Sequence, residues 1–253
     1  MADTDPVLDI REAQVIKDDR TFLVTDRLGD VPEGNTAALG LYHKDTRFLS
    51  GLELHLNDRT PLLLHSSTER NYSQVVELTY PFESIDQEGI HRKENVSVQR
   101  HRVLAGSLFE RIRVRNFGSK TRALRLVVDF DADFLDVFEV RGLVREQTGQ
   151  RQPPRVERST VVLAHRGRDG SERTTTLRFS PAPAELDDSR AVFQLDVGPM
   201  ERTEVAVEVV PSVDGHRGTR VTMADAEDRV SREYTRWKKR CTRFTAANVQ
   251  LQQ

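Results

Sequence analysis

The sequence has little cysteine, few aromatic residues and no long apolar run. Cys241 is the only cysteine, which excludes an internal disulfide framework and a cysteine-based zinc site. Aromatic residues make up 6% of the chain, so few side chains are available for stacking on bases or sugars. No apolar stretch approaches the roughly 20 residues that span a bilayer. The acidic start is not followed by an apolar run, so the sequence does not predict a secretory signal. We therefore predict a cytoplasmic location and no membrane partner.

Excess charge of one sign is also missing. Lys and Arg number 38 against 40 Asp and Glu, which removes the electrostatic basis for binding nucleic acid. The sequence has no phosphate-cradling glycine loop, no Gly-x-Ser-x-Gly elbow and no His-Glu-x-x-His motif. The seven histidines are scattered, so the sequence predicts no metal site and no cofactor.

From about residue 13 to 211, short alternating segments are separated by turn residues, a pattern typical of an all-β sandwich. Residues 21–25 give a first strand. Residues 47–56 and 61–65 predict a hairpin through the turn at 57–59. Tyr72 and Tyr80 bound another strand, and a long, heavily polar one covers residues 90–104, as expected where one sheet face meets water or another domain.

The strongest alternation lies in residues 108–116 and 123–131, which predict a second hairpin. Ile112 and Val114 share one face of its first strand, and arginines occupy the other face. A slip by one residue would turn those arginines into the core, so the register is well defined. A proline-containing connection at 147–154 leads to four weaker strands, at residues 159–164, 174–180, 191–197 and 203–210.

The period changes after this region. Apolar residues recur at alternating three- and four-residue steps, which predicts an amphipathic helix over about 223–246. Thr222 followed by Asp225 resembles a capping box. The apolar stripe comprises Met223, Ala226, Val230, Tyr234, Trp237, Cys241 and Phe244. It either packs on this chain's own sandwich or forms a rigid linker to a following helical domain.

The acidic run at 129–139 is where a glycosidase acid–base pair would be sought. Glycoside hydrolysis uses two carboxyl groups about 5–5.5 Å apart in retaining enzymes or about 6.5–9.5 Å apart in inverting ones, and one of the two has a raised pKa. Alternating strand positions place Asp129 and Asp131 about 6.5–7 Å apart on one face. Neighbouring arginines would keep both ionised. We therefore interpret the run as a solvated charge ladder and predict no catalytic residue in this chain.

The segment 40–50 contains a second candidate site. Asp45 and Arg47 lie two residues apart in a hydrophobic frame, which indicates a hydrogen-bonded brace that fixes a loop. The alternative is that Tyr42 and His43 stack on, or hydrogen-bond to, a sugar. Glu139 and Arg141 invite the same brace interpretation: they would share one strand face, before a glycine that permits a sharp turn.

Four ordered segments carry a resemblance. Residues 15–27, 40–50 and 134–142 resemble the "fl.v.d..G", "GLy..DtRfLs" and "f.DvFEvRG" patterns of bacterial glycogen-debranching-type (amylo-alpha-1,6-glucosidase-like) enzymes. Residues 234–244 resemble the "y..W...c..f" helix that leads into the catalytic domain of that family. Together these segments cover nearly the whole chain and resemble the family's N-terminal module.

The resemblance implies a large two-sheet antiparallel β-sandwich, a supersandwich, with a long C-terminal amphipathic helix. We expect the sandwich at 10–215 and a linker helix at 222–248 leading to a helical-toroid catalytic domain that is absent here. The family's catalytic carboxylates lie in that toroid, and no position in this chain matches them. Tyr234, Trp237 and Phe244 would form the interdomain helix face.

Three functions remain open. The resemblance implies a non-catalytic module of a glycoside hydrolase that supports the toroid and shapes an α-glucan cleft with the 40–48 loop. It also predicts a sizeable apolar patch on the isolated chain. A free-standing carbohydrate-binding or protein-interaction sandwich would need exposed aromatic residues, of which Tyr72 and Tyr80 are the best candidates. A complete small hydrolase would use the acids at 129–139.

Overall fold

The computed structural model describes residues 13–35, 38–85, 91–145, 149–215 and 221–242. The described residues form sixteen strands and two helices. The first eight strands are β1 (Gln14–Asp18), β2 (Thr21–Thr25), β3 (Gly40–His43), β4 (Thr46–Leu49), β5 (Gly51–Leu56), β6 (Leu62–Arg70), β7 (Ser73–Ile85) and β8 (His91–Leu104).

The rest of the fold continues in chain order and ends on a long helix. These elements are β9 (Leu108–Asn116), β10 (Arg122–Asp131), α1 (Val137–Val140), β11 (Gln150–Glu157), β12 (Thr160–Arg166), β13 (Glu172–Ser180), β14 (Glu185–Leu186), β15 (Arg190–Val197), β16 (Arg202–Val213) and α2 (Met223–Arg240). No described helix is long and apolar enough to cross a membrane.

The strands form a two-layered antiparallel sandwich. One layer is an eight-stranded sheet with the order β11-β12-β13-β16-β9-β8-β7-β6. The facing strands form two four-stranded sheets, β1-β2-β3-β4 and β14-β15-β10-β5. The predicted all-β sandwich with a C-terminal helix is confirmed, and its second layer is split into two hydrogen-bonded sheets.

One continuous apolar core joins the layers. Alternate residues of the strands enter it, as the period of two requires, among them Leu23, Leu54, Ile112, Leu126 and Phe193. The predicted faces of β9 are confirmed, because Ile112 and Val114 are fully buried while the intervening arginines reach solvent. Burial of alternate residues therefore holds the two layers together.

Both predicted hairpins are wrong, although their turns and strands exist. β5 pairs with β10 and β6 pairs with β7, so the turn at 57–59 passes from one sheet to another. β9 pairs with β8 and β16, whereas β10 pairs with β5 and β15. Alternation determines which face of a strand is apolar but not which strand lies beside it. Both connections therefore cross between layers.

Two local predictions also change. The expected connection at 147–154 ends in strand β11, which pairs only with β12 at the edge of the large sheet, where its two prolines are tolerated. The segment of Glu139 and Arg141 is not a strand, because Val137–Val140 forms one helical turn. Asp136 caps that turn through the backbone N–H groups of Phe138 and Glu139.

Candidate functional site

A two-pronged ion pair joins the 40–50 segment to Asp133, the residue just before the 134–142 segment. The Nε atom of Arg47 lies 3.1 Å from each carboxylate oxygen of Asp133, and its Nη2 atom makes a second, short contact with Oδ2. Nη1 of Arg47 donates to the carbonyl of Leu39 at 3.2 Å. Burial acts to lower the pKa of Arg47, but Asp133 outweighs it, so the pKa is raised. Arg47 therefore remains charged and fixed in orientation.

Gly40 makes room for this arginine. Its φ of +149° lies in a region that disfavours side chains, and a Cβ there would stand 2.6 Å from the carbonyl oxygen of Leu49. The same Cβ would lie 2.7 Å from Cδ of Arg47. The glycine of the 40–50 segment is therefore required by the close approach of β4.

Asp45 does not form the expected brace with Arg47. Its side chain is exposed at the tight turn between β3 and β4, with φ of +64°, and its carbonyl accepts a hydrogen bond from Val137 at 3.0 Å. The partner of Arg47 is Asp133 and not Asp45. The alternation within one strand indicates only neighbours that are close in sequence. Asp133 is 86 positions from Arg47, so the strand pattern could not predict this pair.

Tyr42 is buried and His43 is half-buried. Tyr42 is 2% exposed, stacks on Phe22 with ring centroids 4.7 Å apart, and donates its hydroxyl to the carbonyl of Ala38. Burial raises the pKa of Tyr42. The His43 Nδ1 atom lies 2.8 Å from the Thr21 hydroxyl, and burial, aided by Lys44, lowers its pKa. Neutral His43 therefore serves as a hydrogen-bond partner inside the first sheet.

Polar contacts hold the turn that contains Glu139. Its carboxylate accepts from the backbone N–H of Asp136 at 2.9 Å, completing a capping box. Arg145 forms a short contact with the Asp136 carboxylate. Burial acts to raise the pKa of Asp136, but the backbone N–H donors and Arg145 lower it overall. Arg141 is exposed beside this turn rather than paired with Glu139.

The acidic run forms a charge ladder on the second sheet. Asp129 accepts from Arg190 at 2.5 Å and lies 3.6 Å from His55. Asp131 accepts from Arg151 at 2.5 Å. Each carboxylate thus has its own cationic partner, and these partners come from other strands rather than from the arginine row of β9. This geometry agrees with the interpretation of the run as a charge ladder.

A polar cleft of about 610 Å³ lies between α1 and the turn that joins β12 to β13. Phe134 and His165 meet there as parallel rings with centroids 5.5 Å apart. Thr46, from the predicted cleft-shaping loop, also lines it. Burial, and secondarily Arg173, lowers the pKa of His165. The cleft is therefore lined by a neutral imidazole among charged side chains.

An apolar groove of about 220 Å³ lies on the other side of α1. Val15, Phe22 and Val24 supply one wall from the first sheet, and Val137 and Val140 supply the other. Strands β1 and β2 are thus apolar on both faces, because Ile16 and Leu23 point into the core. Outward apolar residues on an antiparallel sheet are typical of a face covered by another element.

A buried charge network was missed in the sequence. Arg100 is 1% exposed and bonds Glu110 at 2.6 Å, and it also contacts Asp30. Arg102 is fully buried, lies 3.0 Å from Glu110 and donates to the carbonyl of Gly29. Both arginines have the same parity as the apolar positions 96 and 98. That parity placed them in the core, although the polar residues of this strand were expected on a sheet face that meets water or another domain.

The network holds the turn between β2 and β3. The two arginines lower the pKa of Glu110 although burial acts to raise it. Asp26 accepts from the backbone N–H of Asp30 at 2.7 Å, and its pKa is raised to about 6 by burial and by the charge of Asp30. Arg100 and Arg102 of β8 thus hold this turn, which follows the 15–27 segment, against the large sheet.

Helix α2 is only partly covered by this chain. Ala226 and Val230 pack into a small cluster with Tyr72 and Val103, so the first half of the stripe docks on the sandwich. Trp237 on the same stripe is 58% exposed. The helix ends at Arg240, and Phe244 lies outside the described residues. The first half of the helix thus packs on this chain's own sandwich, which is one of the two interpretations. The second half is uncovered, which leaves it available as a linker to a following domain.

The two tyrosines that were candidates for sugar stacking pack against other aromatic side chains of this chain. Tyr72 is 4% exposed beneath α2, where Tyr234 packs edge-on against it. Tyr80 packs against Phe82 with centroids 4.9 Å apart. Among the described residues, no three His, Cys, Asp or Glu side chains are grouped to hold a metal ion. The residues singled out by the sequence therefore act mainly within the domain.

A family profile matches residues 16–208 and is described as the N-terminal domain of some glycogen debranching enzymes. The chain belongs to this family. The match includes the 40–50 and 134–142 segments and the Arg47–Asp133 pair. No curated protein is detectably similar to this debranching-enzyme domain.

Similar solved structures are distant in sequence. A protein described as a kojibiose phosphorylase from the human microbiome has 10% identity and a TM-score of 0.45 over 86% of this chain; the chain covers 28% of that structure. A protein from Synechocystis has 11% identity and a TM-score of 0.43, with 84% and 99% covered. A galactose mutarotase-like protein from Clostridium acetobutylicum has 8% identity and a TM-score of 0.36, with 76% and 92% covered.

Proposed function

We propose that this chain is the non-catalytic N-terminal module of a glycogen-debranching-type glucosidase, in the cytoplasm, and that it supports a helical catalytic domain. The observation that carries the proposal is the stripe of α2. Val230 is 3% exposed on the sandwich, whereas Trp237, two turns further along the same stripe, is 58% exposed. An apolar stripe that extends beyond the surface on which its helix packs is suited to contact with a following domain.

A second exposed apolar segment supports the same role. Phe138, Leu143 and Val144 are 59%, 52% and 92% exposed within seven residues. The capping box and Arg145 hold this segment in place, so its apolar side chains are presented on a fixed turn. Apolar side chains that a domain fixes and leaves uncovered are typical of an interface.

The same proposal gives a role to the brace formed by Arg47 and Asp133 and to the loop that it holds. Arg47 and Asp133 hold the 40–48 loop against the segment that precedes α1, with Asp45 at the tip of the turn. Glu139 fixes α1, and Arg141 stands at the edge of the apolar groove. We propose that this assembly shapes one wall of an α-glucan cleft, with Tyr42 and His43 acting as inner supports of that wall.

The mass of the native gene product tests the proposal. The chain has a mass of 28.9 kDa, and we expect the product in its own cells to be far heavier. Trp237 is the single tryptophan, so its emission reports docking without labelling. We expect a blue shift when the separately expressed following domain is added. A product of about the chain's own mass, or an unchanged emission on mixing, would contradict the proposal.

A further inference from the structure

The charges of helix α2 are separated along its length. Its acidic residues all precede Tyr234, namely Asp225, Glu227, Asp228 and Glu233. The rest of the helix carries four basic side chains and no acid: Arg236, Lys238, Lys239 and Arg240. The chain as a whole has a net charge of only −2. This basic end of α2, residues 234–240, is therefore a local concentration of positive charge.

The two halves of the helix differ in their charge partners. In the first half, Glu227 lies 3.8 Å from His101 across the packed face. Arg229 lies 3.8 Å from Asp18 of the sandwich. Within the described part of the chain, the ion pairs of α2 are confined to this half. Every side chain from 235 to 240 is exposed, so the cations of the basic end are free to meet a partner.

The helix dipole explains only part of this charge. Basic side chains in the last turn stabilise the negative end of a helix, and the effect falls off within that turn. It accounts for Lys238, Lys239 and Arg240. Arg236 lies four residues from both Arg232 and Arg240, and like charges at this spacing destabilise an isolated helix. A partner of opposite charge would offset that repulsion.

The cations surround the exposed tryptophan of the helix. Trp237 is 58% exposed, and at 3.6 residues per turn Lys238 and Arg240 flank it on opposite sides of the apolar stripe. Three further cations line a shallow hollow on the outer face of the helix, namely Arg232, Arg236 and Lys239. An apolar centre with a polar rim is the usual anatomy of a protein interface, and Trp and Arg are frequent anchors of such interfaces.

The single exposed ring favours a protein over a nucleic acid as the partner. Proteins that bind single-stranded nucleic acid stack successive bases on several aromatic side chains. Tyr234, the other aromatic residue of α2, packs edge-on against Tyr72 of the sandwich. Trp237 therefore has no neighbouring ring on the helix with which to form a stacking platform, and one ring suits one apolar pocket.

We propose that the basic end of α2 docks on an acidic surface of the following domain, with Trp237 in an apolar pocket at the centre of that surface. The inference rests on the proposed function, because that function supplies the following domain. It adds the sign of the partner's charge and the mode of association. Attraction between opposite charges orients the two surfaces, and burial of Trp237 holds them together.

Hydrogen exchange in the native gene product tests the proposal without separating the domains. The measured quantity is the protection of the amides of residues 234–240, divided by their protection in this chain alone. The ratio cancels changes within the helix itself. We expect it to fall roughly tenfold or more between about 50 mM and about 500 mM salt, because screening shortens the reach of charge about threefold over this range.

Charge reversal gives an independent readout. Arg236→Glu combined with Lys239→Glu should lower the ratio roughly tenfold or more at low salt and remove most of its salt dependence. The matched control is Arg155→Glu combined with Arg158→Glu. It reverses two exposed arginines at the β11 edge of the large sheet and should leave the ratio unchanged.

Three results would overturn the acidic partner. These are a ratio above one that does not change with salt, an equal fall in the control variant, and binding of a single-stranded oligonucleotide by this chain that the Arg236→Glu, Lys239→Glu variant loses. Protection that is independent of salt would leave the proposed function intact, since Trp237 would then dock by apolar contact alone. A ratio of one under all conditions would contradict both proposals.

Discussion

Arg47 and Asp133 lie 86 residues apart in sequence and form a two-pronged ion pair, with Nε 3.1 Å from both carboxylate oxygens. The pair connects strand β4 to the segment before α1, so it joins the 40–50 motif to the residue that precedes the 134–142 motif. The side chains are 8% and 24% exposed. A pair this sheltered is worth more than a surface ion pair, because losing one partner leaves the other charge poorly solvated.

Removal of one partner should therefore destabilise the domain. We expect Arg47→Met to lower the free energy of unfolding by about 2–3 kcal/mol, measured by urea denaturation. Arg113→Met is the matched control, since Arg113 pairs with Glu204 at the surface and should contribute less than about 1 kcal/mol. Equal effects of the two substitutions would show that the Arg47–Asp133 pair has no special structural role.

Gly40 should tolerate no side chain. We expect Gly40→Ala to cost about 1–3 kcal/mol from the clash with Leu49, in addition to the strain of its positive φ. Gly106→Ala is the comparison without a clash, because Gly106 has a milder positive φ of +73° and no heavy atom beyond its chain neighbours lies within 4 Å of its Cβ position. Thermal melting of both variants measures the difference. A smaller loss for Gly40→Ala than for Gly106→Ala would contradict the close approach.

The buried network should respond strongly to loss of one charge. Arg100→Met removes the arginine that contacts both Asp30 and Glu110, and leaves Glu110 with Arg102 alone, so we expect a loss of about 3–5 kcal/mol in the free energy of unfolding. Denaturation in urea provides the measurement. Arg111→Met on the neighbouring strand is the control, because Arg111 is partly exposed and should change stability by less than about 1 kcal/mol. A loss no larger than that of the control would show that solvent reaches the network.

Asp26 should make stability depend on pH. Its pKa is raised to about 6 from 3.8, so the folded protein prefers the protonated form. The stabilisation is fully present below pH 3.8 and is lost as pH rises through 6. Asp26→Asn keeps an oxygen acceptor for Asp30 and removes the charge. We therefore expect this variant to be more stable than the wild type at pH 7, by up to about 2 kcal/mol because Asp26 is partly exposed.

The gain of the Asp26→Asn variant should shrink toward zero near pH 4. Urea denaturation of both proteins across this range measures the difference between them, so the pH response of other groups cancels. A difference of the same size at pH 4 and pH 7 would show that Asp26 does not titrate in this window.

Helix α2 offers a test that separates folding from docking. Val230→Ala should destabilise the isolated chain by about 1–2 kcal/mol, because Val230 is 3% exposed against the sandwich. Trp237→Ala should change stability by less than about 0.5 kcal/mol and should instead weaken association with the following domain. Thermal melting and a binding titration give the two readouts. A large loss of stability on removing Trp237 would place it in this chain's own core.

The sequence predicted the fold class and the faces of individual elements well. Alternation in β9 correctly placed Ile112 inside and Arg113 outside, and the stripe of α2 was recognised with its Thr222 cap. These features follow from local periods of 2 and 3.6 residues, which are visible in any short window. The family signatures likewise identified the domain, since each motif is contiguous.

Strand partners and charge partners were decided by tertiary structure alone. Alternation could not show that β9 and β10 belong to facing sheets, nor that Arg47 pairs with Asp133 rather than with Asp45. Arg100 had the parity of a core residue, but only the folded structure supplied Asp30 and Glu110 to neutralise it. The physical reason is that local pattern determines orientation, whereas pairing depends on which distant segments share a desolvated interior.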